Sequence, residues 1–125
     1  MNRPEAAAVV RAYHDAWTSK DFTGAAALLD DALRVEGPIN EYSTARSFVP
    51  ALTSFVSMVS AVKLVAAMSD RDEAMMLYDL DVERLGPLRV VEHYTVAEGK
   101  ITRIRQILDT VAVRKAGLAH PGEST

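Results

Sequence analysis

The first segment of the chain carries apolar residues at helical spacing. They recur at intervals of three and four residues: Ala6, Val9, Val10, Tyr13 and Trp17. This spacing places them on one face of a helix. Asn2, followed by Pro4 and Glu5, has the pattern of an N-cap and first turn, so the helix is predicted to begin there.

Two further segments have helical patterns. Asp21 is predicted to cap a short helix whose buried stripe would be Phe22, Ala25, Leu28 and Leu29. A third helix would bury Phe48, Leu52, Phe55, Val56 and Val59. Because proline fits the first turn of a helix but not its interior, Pro50 favours Ser47 as the cap of this helix.

The rest of the chain alternates between apolar and polar residues, as strands do. A short strand over 32–36 is predicted from Leu33 and Val35, and Gly37-Pro38 would end it. A polar loop is predicted to follow. From residue 61 onward the spacing changes from helical to alternating, and turn signals divide this segment into strands. Four strands of a meander are predicted over 61–69, 73–84, 88–97 and 100–110.

The predicted organisation is one α+β domain over residues 1–112. A chain of 125 residues has the usual size of a single domain. A helical turn is expected at 111–116, and residues 113–125 are predicted to form a disordered C-terminal tail.

Composition removes several classes of function. Lys and Arg total 14 against 17 Asp and Glu, and neither sign forms a run, so nucleic acid is not an expected partner. The chain lacks cysteine, which fits a reducing compartment, and no export signal is evident. Its longest uncharged stretch, 47–62, is too short to span a membrane. A cytoplasmic location without membrane contact is therefore expected.

The order of predicted elements, together with several local motifs, resembles a known superfamily. The motifs are Tyr13 to Trp17 followed by Lys20-Asp21-Phe22, Asp30-Asp31-Ala32, Glu98-Gly99-Lys100-Ile101, and Asp109. The chain resembles the nuclear transport factor 2-like superfamily, in particular its SnoaL-like branch of polyketide cyclases, steroid isomerases and epoxide hydrolases. This resemblance implies three helices packed in the concave face of a strongly curved, mostly antiparallel sheet, a cone-like α+β barrel. It also implies a homodimer built on the outer face of that sheet.

Catalytic candidates come from similarity to ketosteroid isomerase within this family. Tyr13 matches its tyrosine, Glu36 its base and Glu92 its second acid, although both acids are Glu rather than Asp. If alternation turns Glu92 inward with Val90, burial would raise its pKa toward that of a usable acid or base. The alternatives are a core tyrosine at 13 and a solvated strand end at Glu36.

A second comparison within the family is with limonene-type epoxide hydrolases, which use Asp-Arg-Asp to activate water. Asp81 falls at one aspartate, but Asp79 stands where the arginine belongs and Gln106 replaces the other aspartate. Alternation instead favours a solvated outer face for Asp79, Asp81 and Glu83, with Met76, Tyr78, Leu80 and Val82 turned inward.

A pocket for a small apolar molecule is expected inside the cone. Its predicted lining is Trp17, Leu29, Phe48, Leu52, Phe55, Met76, Tyr78, Val90, Tyr94, Ile104, Gln106 and Leu108. No cofactor is expected, and His14, His93 and His120 lack the spacing of metal ligands. Two functions stay open: an isomerase, cyclase or hydrolase working by acid/base chemistry without a cofactor, or a non-catalytic binding or interaction domain.

Overall fold

The computed structural model describes residues 6–115, which form four helices and six strands. The helices are α1 (Ala6–Thr18), α2 (Phe22–Ala27), α3 (Ala45–Val56) and α4 (Val111–Lys115). The strands are β1 (Leu29–Glu36), β2 (Glu41–Tyr42), β3 (Val59–Asp70), β4 (Glu73–Val82), β5 (Gly86–Ala97) and β6 (Lys100–Leu108). The predicted start of the first helix at Asn2 and the predicted tail beyond residue 115 lie outside the described residues.

The strands form one curved sheet in the order β2-β1-β6-β5-β4-β3. All neighbours are antiparallel except β1 and β6, which run parallel. Register shifts interrupt β3 between Val59 and Ala61 and again between Leu64 and Ala66. Irregularities of this kind bend a strand. The predicted α+β class and mostly antiparallel sheet are confirmed.

The meander follows the predicted turn signals closely. Strands β3 to β6 overlap the four predicted segments, with ends that differ by two residues or fewer. The β5–β6 turn is made by Glu98 (φ +52°) and Gly99 (φ +79°). Two consecutive positive φ angles are what a tight hairpin of this twist requires, which explains the Glu-Gly pair at this place.

Three local predictions need correction. The cap of α3 is Thr44 rather than Ser47, and Pro50 lies inside the helix. The Thr44 side chain accepts a hydrogen bond from the Ser47 backbone N–H at 3.1 Å, so the helix begins one turn earlier than the proline suggested. The predicted polar loop after Gly37-Pro38 contains the short strand β2, and β1 begins at Leu29 rather than at residue 32.

The second helix begins where the sequence indicated. Asp21 caps α2, its Oδ1 accepting a hydrogen bond from the Gly24 backbone N–H at 2.9 Å. A Cβ at position 24 would lie 2.3 Å from Asp21 Oδ2, so any side chain there would collide with the cap. Gly24 weakens the helix by its flexibility, but its small size leaves room for the carboxylate.

The core lies between the inner face of the sheet and helices α1 and α3. Aromatic side chains fill the part beneath α1: Tyr13 packs edge-on against Tyr94, and Trp17 lies 5.6 Å from Tyr78 between ring centroids. The α4 helix adds Val113, which is buried, so the packed domain continues past residue 112.

Candidate functional site

A cavity of about 170 Å³ lies between α3 and the inner face of the sheet. Seven residues that the sequence assigned to a pocket line it: Phe48, Leu52, Phe55, Tyr78, Val90, Gln106 and Leu108. Seven others complete the wall: Ile39, Asn40, Tyr42, Ala51, Leu80, Leu88 and Val113. The wall is mostly apolar, and its polar groups are the Asn40 and Gln106 amides and two tyrosine hydroxyls.

Five residues expected in the pocket do not line this cavity. Trp17, Leu29, Met76, Tyr94 and Ile104 are all buried in the packed core. The reason is that aromatic rings from α1 fill the end of the cone where these side chains lie. The His14 ring, for example, packs between Trp17 and Tyr78, with ring centroids 5.2 and 5.4 Å away. The cavity that the predicted residues line therefore lies at the end that α3 covers.

Glu92 projects from β5 into the molecule and is 4% exposed. Its Oε1 accepts a hydrogen bond from the Tyr94 hydroxyl at 2.5 Å, and its Oε2 accepts one from Gln106 Nε2 at 2.7 Å. The Tyr78 hydroxyl is also hydrogen-bonded to this carboxyl group. Two of these donors, Tyr78 and Gln106, line the cavity, so the carboxyl group lies directly behind the wall.

Burial raises the pKa values of Glu92 and Tyr78. Desolvation raises the pKa of Glu92, and the hydrogen bonds from Tyr94, Gln106 and Tyr78 oppose that rise. Burial and the nearby Glu92 carboxyl group raise the pKa of the Tyr78 hydroxyl well above its ordinary value. Tyr78 is therefore a phenol at neutral pH, able to donate a proton but not to act as a base.

Tyr13 lies one layer behind the cavity. It is 2% exposed, and its ring meets the Tyr94 ring edge-on with centroids 6.3 Å apart. Burial and, to a smaller extent, the charge of Glu92 raise the pKa of its hydroxyl well above the ordinary value. The position agrees with the alternative of a core tyrosine, because a molecule in the cavity would not touch this ring.

Glu36 does not join the other two catalytic candidates. Leu33 and Val35 are buried towards the end of β1, so the alternation turns Glu36 to the opposite, outer face of the sheet. There it accepts hydrogen bonds from Arg103 Nε and Nη2, and the guanidinium groups of Arg34 and Arg105 lie within 4 Å. The Arg103 hydrogen bond lowers the pKa of Glu36. The assignment of Glu36 as a base in the pocket is therefore corrected.

The acidic residues of β4 lie on the outer face, as alternation predicted. Asp79 forms a two-point ion pair with Arg89, with distances of 2.7 and 2.8 Å, and Asp81 is exposed. Met76, Tyr78, Leu80 and Val82 are all buried on the other side of the strand. The aspartates thus face away from the cavity, and the epoxide-hydrolase set is not assembled from them.

Sequence reasoning missed the residues that close the cavity at its polar end. Ile39 and Asn40 lie in the turn after β1, and Tyr42 lies in β2, in a segment interpreted as a polar loop. The apolar Ile39 and the aromatic Tyr42 were the available signal, since a solvated loop needs neither. Val113 was missed because it lies in a helix of one turn, too short for periodicity to identify.

Within residues 6–115, no three His, Asp or Glu side chains lie close enough together to form a metal-binding group. None of the helices described has the length and apolar character needed to cross a bilayer.

The chain belongs to the SnoaL-like domain family, whose model matches residues 10–104. It is similar to a protein from Kribbella flavida DSM 17836, with 27% identity, a TM-score of 0.82 and coverage of 87% of this chain and 90% of the other. An epoxide hydrolase of M. tuberculosis, described as LEH-like, shares 24% identity at a TM-score of 0.73, with 90% and 89% coverage.

The same fold occurs in a proposed polyketide cyclase from Sinorhizobium meliloti. That structure has 17% identity, a TM-score of 0.72 and coverage of 79% of this chain and 93% of the other. A search among curated proteins found no significant match. The comparisons therefore establish the family and the nuclear transport factor 2-like fold.

Proposed function

We propose that this protein binds a small, mainly apolar molecule in the cavity beneath α3. The observation that carries the proposal is a partly open cavity with a mostly apolar wall and a few polar residues in its lining. Sites for small molecules commonly have this composition. Membership of the SnoaL-like family supports the proposal, because proteins of similar fold include an epoxide hydrolase and a proposed cyclase.

The size of the cavity limits the size of the molecule. A cavity of about 150 Å³ in another protein accommodates benzene. The cavity of about 170 Å³ in this chain is slightly larger, so a molecule with a single six-membered ring and up to three further non-hydrogen atoms is the size expected to fit inside it.

Blocking the cavity tests the binding proposal. Ala51 lines the cavity from α3, and Ala51→Phe would fill part of the volume. Thr53→Phe is a matched control, because Thr53 is exposed on the same helix and does not line the cavity. Titration calorimetry with 4-ethylphenol should show binding to the wild type and to Thr53→Phe, and a loss of tenfold or more in Ala51→Phe. Equal affinity in all three proteins would reject the cavity as the binding site.

Acid/base catalysis is a second candidate function, favoured by the contact between Tyr78 and the buried Glu92. Tyr78 lines the cavity and its hydroxyl is hydrogen-bonded to the carboxyl group behind it. A protonated Glu92 can pass its proton to the Tyr78 oxygen while Tyr78 passes its own to an oxygen atom of the substrate. Transfer in the reverse direction restores both groups. This chemistry suits an isomerase, cyclase or hydrolase that needs no cofactor.

Turnover by matched variants tests the catalytic candidate. The panel comprises a single-ring epoxide, a cyclic enone and a small β-diketone. Tyr78→Phe and Glu92→Gln should each lower turnover by about a hundredfold or more, the usual contribution of a placed acid or base. Glu83→Gln is the control, since Glu83 is exposed. Conversion of none of the three compounds by the wild type, or unchanged rates in both variants, would reject catalysis by this pair.

A further inference from the structure

One tyrosine hydroxyl in the wall of the cavity makes no hydrogen bond to the residues described. Tyr42 lines the cavity from β2, and over residues 6–115 its hydroxyl has no hydrogen-bond partner. The other tyrosine of the wall differs, because the Tyr78 hydroxyl is bonded to the Glu92 carboxyl group. Tyr42 is therefore the wall tyrosine whose hydrogen-bonding capacity is still available.

The Tyr42 hydroxyl is partly withdrawn from water but can still be reached. Tyr42 is half-buried, and this burial raises the pKa of its hydroxyl. Its oxygen is not among the fully buried atoms that lack a partner, so it keeps accessible surface. The group is therefore a protonated phenol at neutral pH, and it is able to donate a hydrogen bond to an oxygen that reaches it.

The ring that carries this hydroxyl is held from two sides. Tyr42 is paired with Val35, which joins β2 to β1. The ring packs against that of Phe48 on α3, with centroids 5.5 Å apart. Because the fold already orders this side chain, a ligand that bonds to the hydroxyl pays little further conformational entropy. Tyr42 is therefore preorganised as a donor.

The two amides of the wall also favour a ligand that accepts hydrogen bonds. Gln106 Nε2 gives one of its two hydrogens to Glu92 Oε2 at 2.7 Å, which leaves the other. The Asn40 side-chain nitrogen makes no hydrogen bond to a described residue and is not among the fully buried atoms without a partner. The amide oxygens are less available, because Asn40 Oδ1 is fully buried and Gln106 Oε1 lies over Gly37, 2.7 Å from where a Cβ would stand. The wall therefore offers mainly donors.

We propose that Tyr42 determines the specificity of the cavity, and that the ligand is a single-ring apolar molecule with one carbonyl oxygen, which accepts a hydrogen bond from the Tyr42 hydroxyl. The ring of the ligand would lie against apolar side chains of α3 and the sheet, such as Leu52, Phe55 and Leu88. This inference rests on the proposed binding function and adds the chemical class of the ligand.

Two probes of nearly equal shape separate the contribution of the oxygen from that of size. Acetophenone and α-methylstyrene differ only where the carbonyl oxygen of the first is a CH2 group in the second, so only acetophenone has an acceptor oxygen. Tyr42→Phe removes the hydroxyl and keeps the ring that packs against Phe48. In calorimetric titrations this substitution should weaken acetophenone binding about fivefold to tenfold, the usual net worth of one hydrogen bond, and α-methylstyrene binding by about twofold or less. Ser43→Ala is the control, because it removes a hydroxyl from an exposed neighbour that does not line the cavity, and both affinities should be unchanged.

The outcomes distinguish the inference from the function on which it rests. Equal losses for the two probes in Tyr42→Phe, or no loss for either, would overturn the role of Tyr42 and leave the binding function intact. Binding of 4-ethylphenol without binding of acetophenone would do the same. Acetophenone binding that survives in Ala51→Phe would place the ketone outside the cavity and would also overturn the inference. If the wild type binds none of the three compounds, the inference and the binding function are both rejected.

The stability of the free protein provides an independent measurement. Because the Tyr42 hydroxyl is bonded to no described residue, Tyr42→Phe without ligand should melt within about 3 °C of the wild type. A larger fall in melting temperature would show that the hydroxyl is already engaged within the folded chain, and the inference would then be wrong.

Discussion

At the level of individual residues, a single buried carboxyl group connects three neighbouring strands of the sheet. Glu92 on β5 receives hydrogen bonds from Tyr78 on β4, from Tyr94 on its own strand and from Gln106 on β6. These contacts orient Tyr78 and Gln106, the two polar groups that the sheet presents to the cavity. The arrangement has a cost, because an ionised carboxylate in this place has lost its hydration.

That cost predicts a specific dependence of stability on pH. Since burial raises the folded-state pKa of Glu92, its favourable contribution is fully present below the unfolded pKa of about 4.3 and is lost as pH rises through the folded pKa. Glu92→Gln cannot ionise. The free energy of unfolding of Glu92→Gln should therefore rise relative to that of the wild type as pH increases from 4 to 8. Urea denaturation measures both.

A control is needed because other groups titrate in the same range. Burial lowers the pKa of His14, which makes the protein lose stability as pH falls below about 6.5, the opposite sign. Only the difference between the wild type and Glu92→Gln isolates the carboxyl group. Glu83→Gln, an exposed glutamate, should parallel the wild type at every pH. A constant difference between the wild type and Glu92→Gln would contradict the raised pKa.

The two glutamates show what can be predicted about a site from sequence. Alternation along β5 correctly turned Glu92 inward with Val90. The same rule turns Glu36 away from its neighbours Leu33 and Val35, and the structure agrees with it. The pocket role of Glu36 was predicted instead from the family resemblance, in a match to ketosteroid isomerase that requires a gap. The sequence gives no prediction for the direction of the Asn40 side chain, because side chains in a turn do not alternate between two faces as they do in a strand.

At the level of elements, helix α3 begins at the position set by its N-cap, although this start places a proline inside the helix. The predicted start at Ser47 would have kept Pro50 in the first turn, but the helix begins at Ala45. Thr44 Oγ1 accepts from the Ser47 N–H, and Ser47 Oγ donates to the Thr44 carbonyl oxygen at 3.0 Å. These reciprocal bonds join Thr44 to the first turn and satisfy the Ser47 N–H, and Pro50 is exposed.

Removing the cap should therefore weaken the helix that covers the cavity. Thr44→Ala is expected to lower the free energy of unfolding by about 1 kcal/mol, the typical loss for an N-cap hydroxyl. The neighbouring Ser43 is also exposed but does not cap the helix, so Ser43→Ala should change stability by less than about 0.5 kcal/mol. Equal effects of the two substitutions in urea denaturation would show that the cap contributes little.

The short helix α4 closes the cavity through one side chain. Val113 is 6% exposed and lines the cavity, whereas Val111 on the same helix is 57% exposed. Val113→Ala should cost about 1–2 kcal/mol of stability and weaken binding of 4-ethylphenol several-fold, because the substitution removes buried apolar contact. Val111→Ala is the matched control, and both quantities should stay close to the wild type. A similar loss of affinity in both variants would argue against a role for α4 in the cavity wall.

The two faces of the sheet divide the whole molecule into an apolar interior and an exterior that carries charged residues together with a few exposed apolar ones, such as Met75 and Ile107. Most of this division follows from the alternation of residues along β4, β5 and β6, which is why the sequence predicted the fold class and the meander. The sequence did not predict β2, and it misplaced the starts of β1 and α3. These features depend on hydrogen bonds rather than on the spacing of apolar residues. The homodimer that the family resemblance implies stays a prediction, which light scattering of the purified protein would test.

Glu36 belongs to the charged exterior, and its substitution tests that division. Glu36→Gln would leave Arg34, Arg103 and Arg105 close together without their shared carboxylate. The melting temperature should fall, and it should fall more at low salt than at high salt, because salt screens the remaining like charges. Since the Arg103 hydrogen bond lowers the folded-state pKa of Glu36, its stabilising contribution in the wild type should disappear as pH falls below about 4.

Ligand binding and turnover provide a second test of Glu36→Gln. Because Glu36 projects away from the cavity, 4-ethylphenol should bind Glu36→Gln as it binds the wild type, and any turnover should be unchanged. A catalytic base in the manner of ketosteroid isomerase would behave in the opposite way, with stability retained and turnover lost. The two measurements together therefore decide whether this carboxylate holds the outer face together or takes part in chemistry inside the cone.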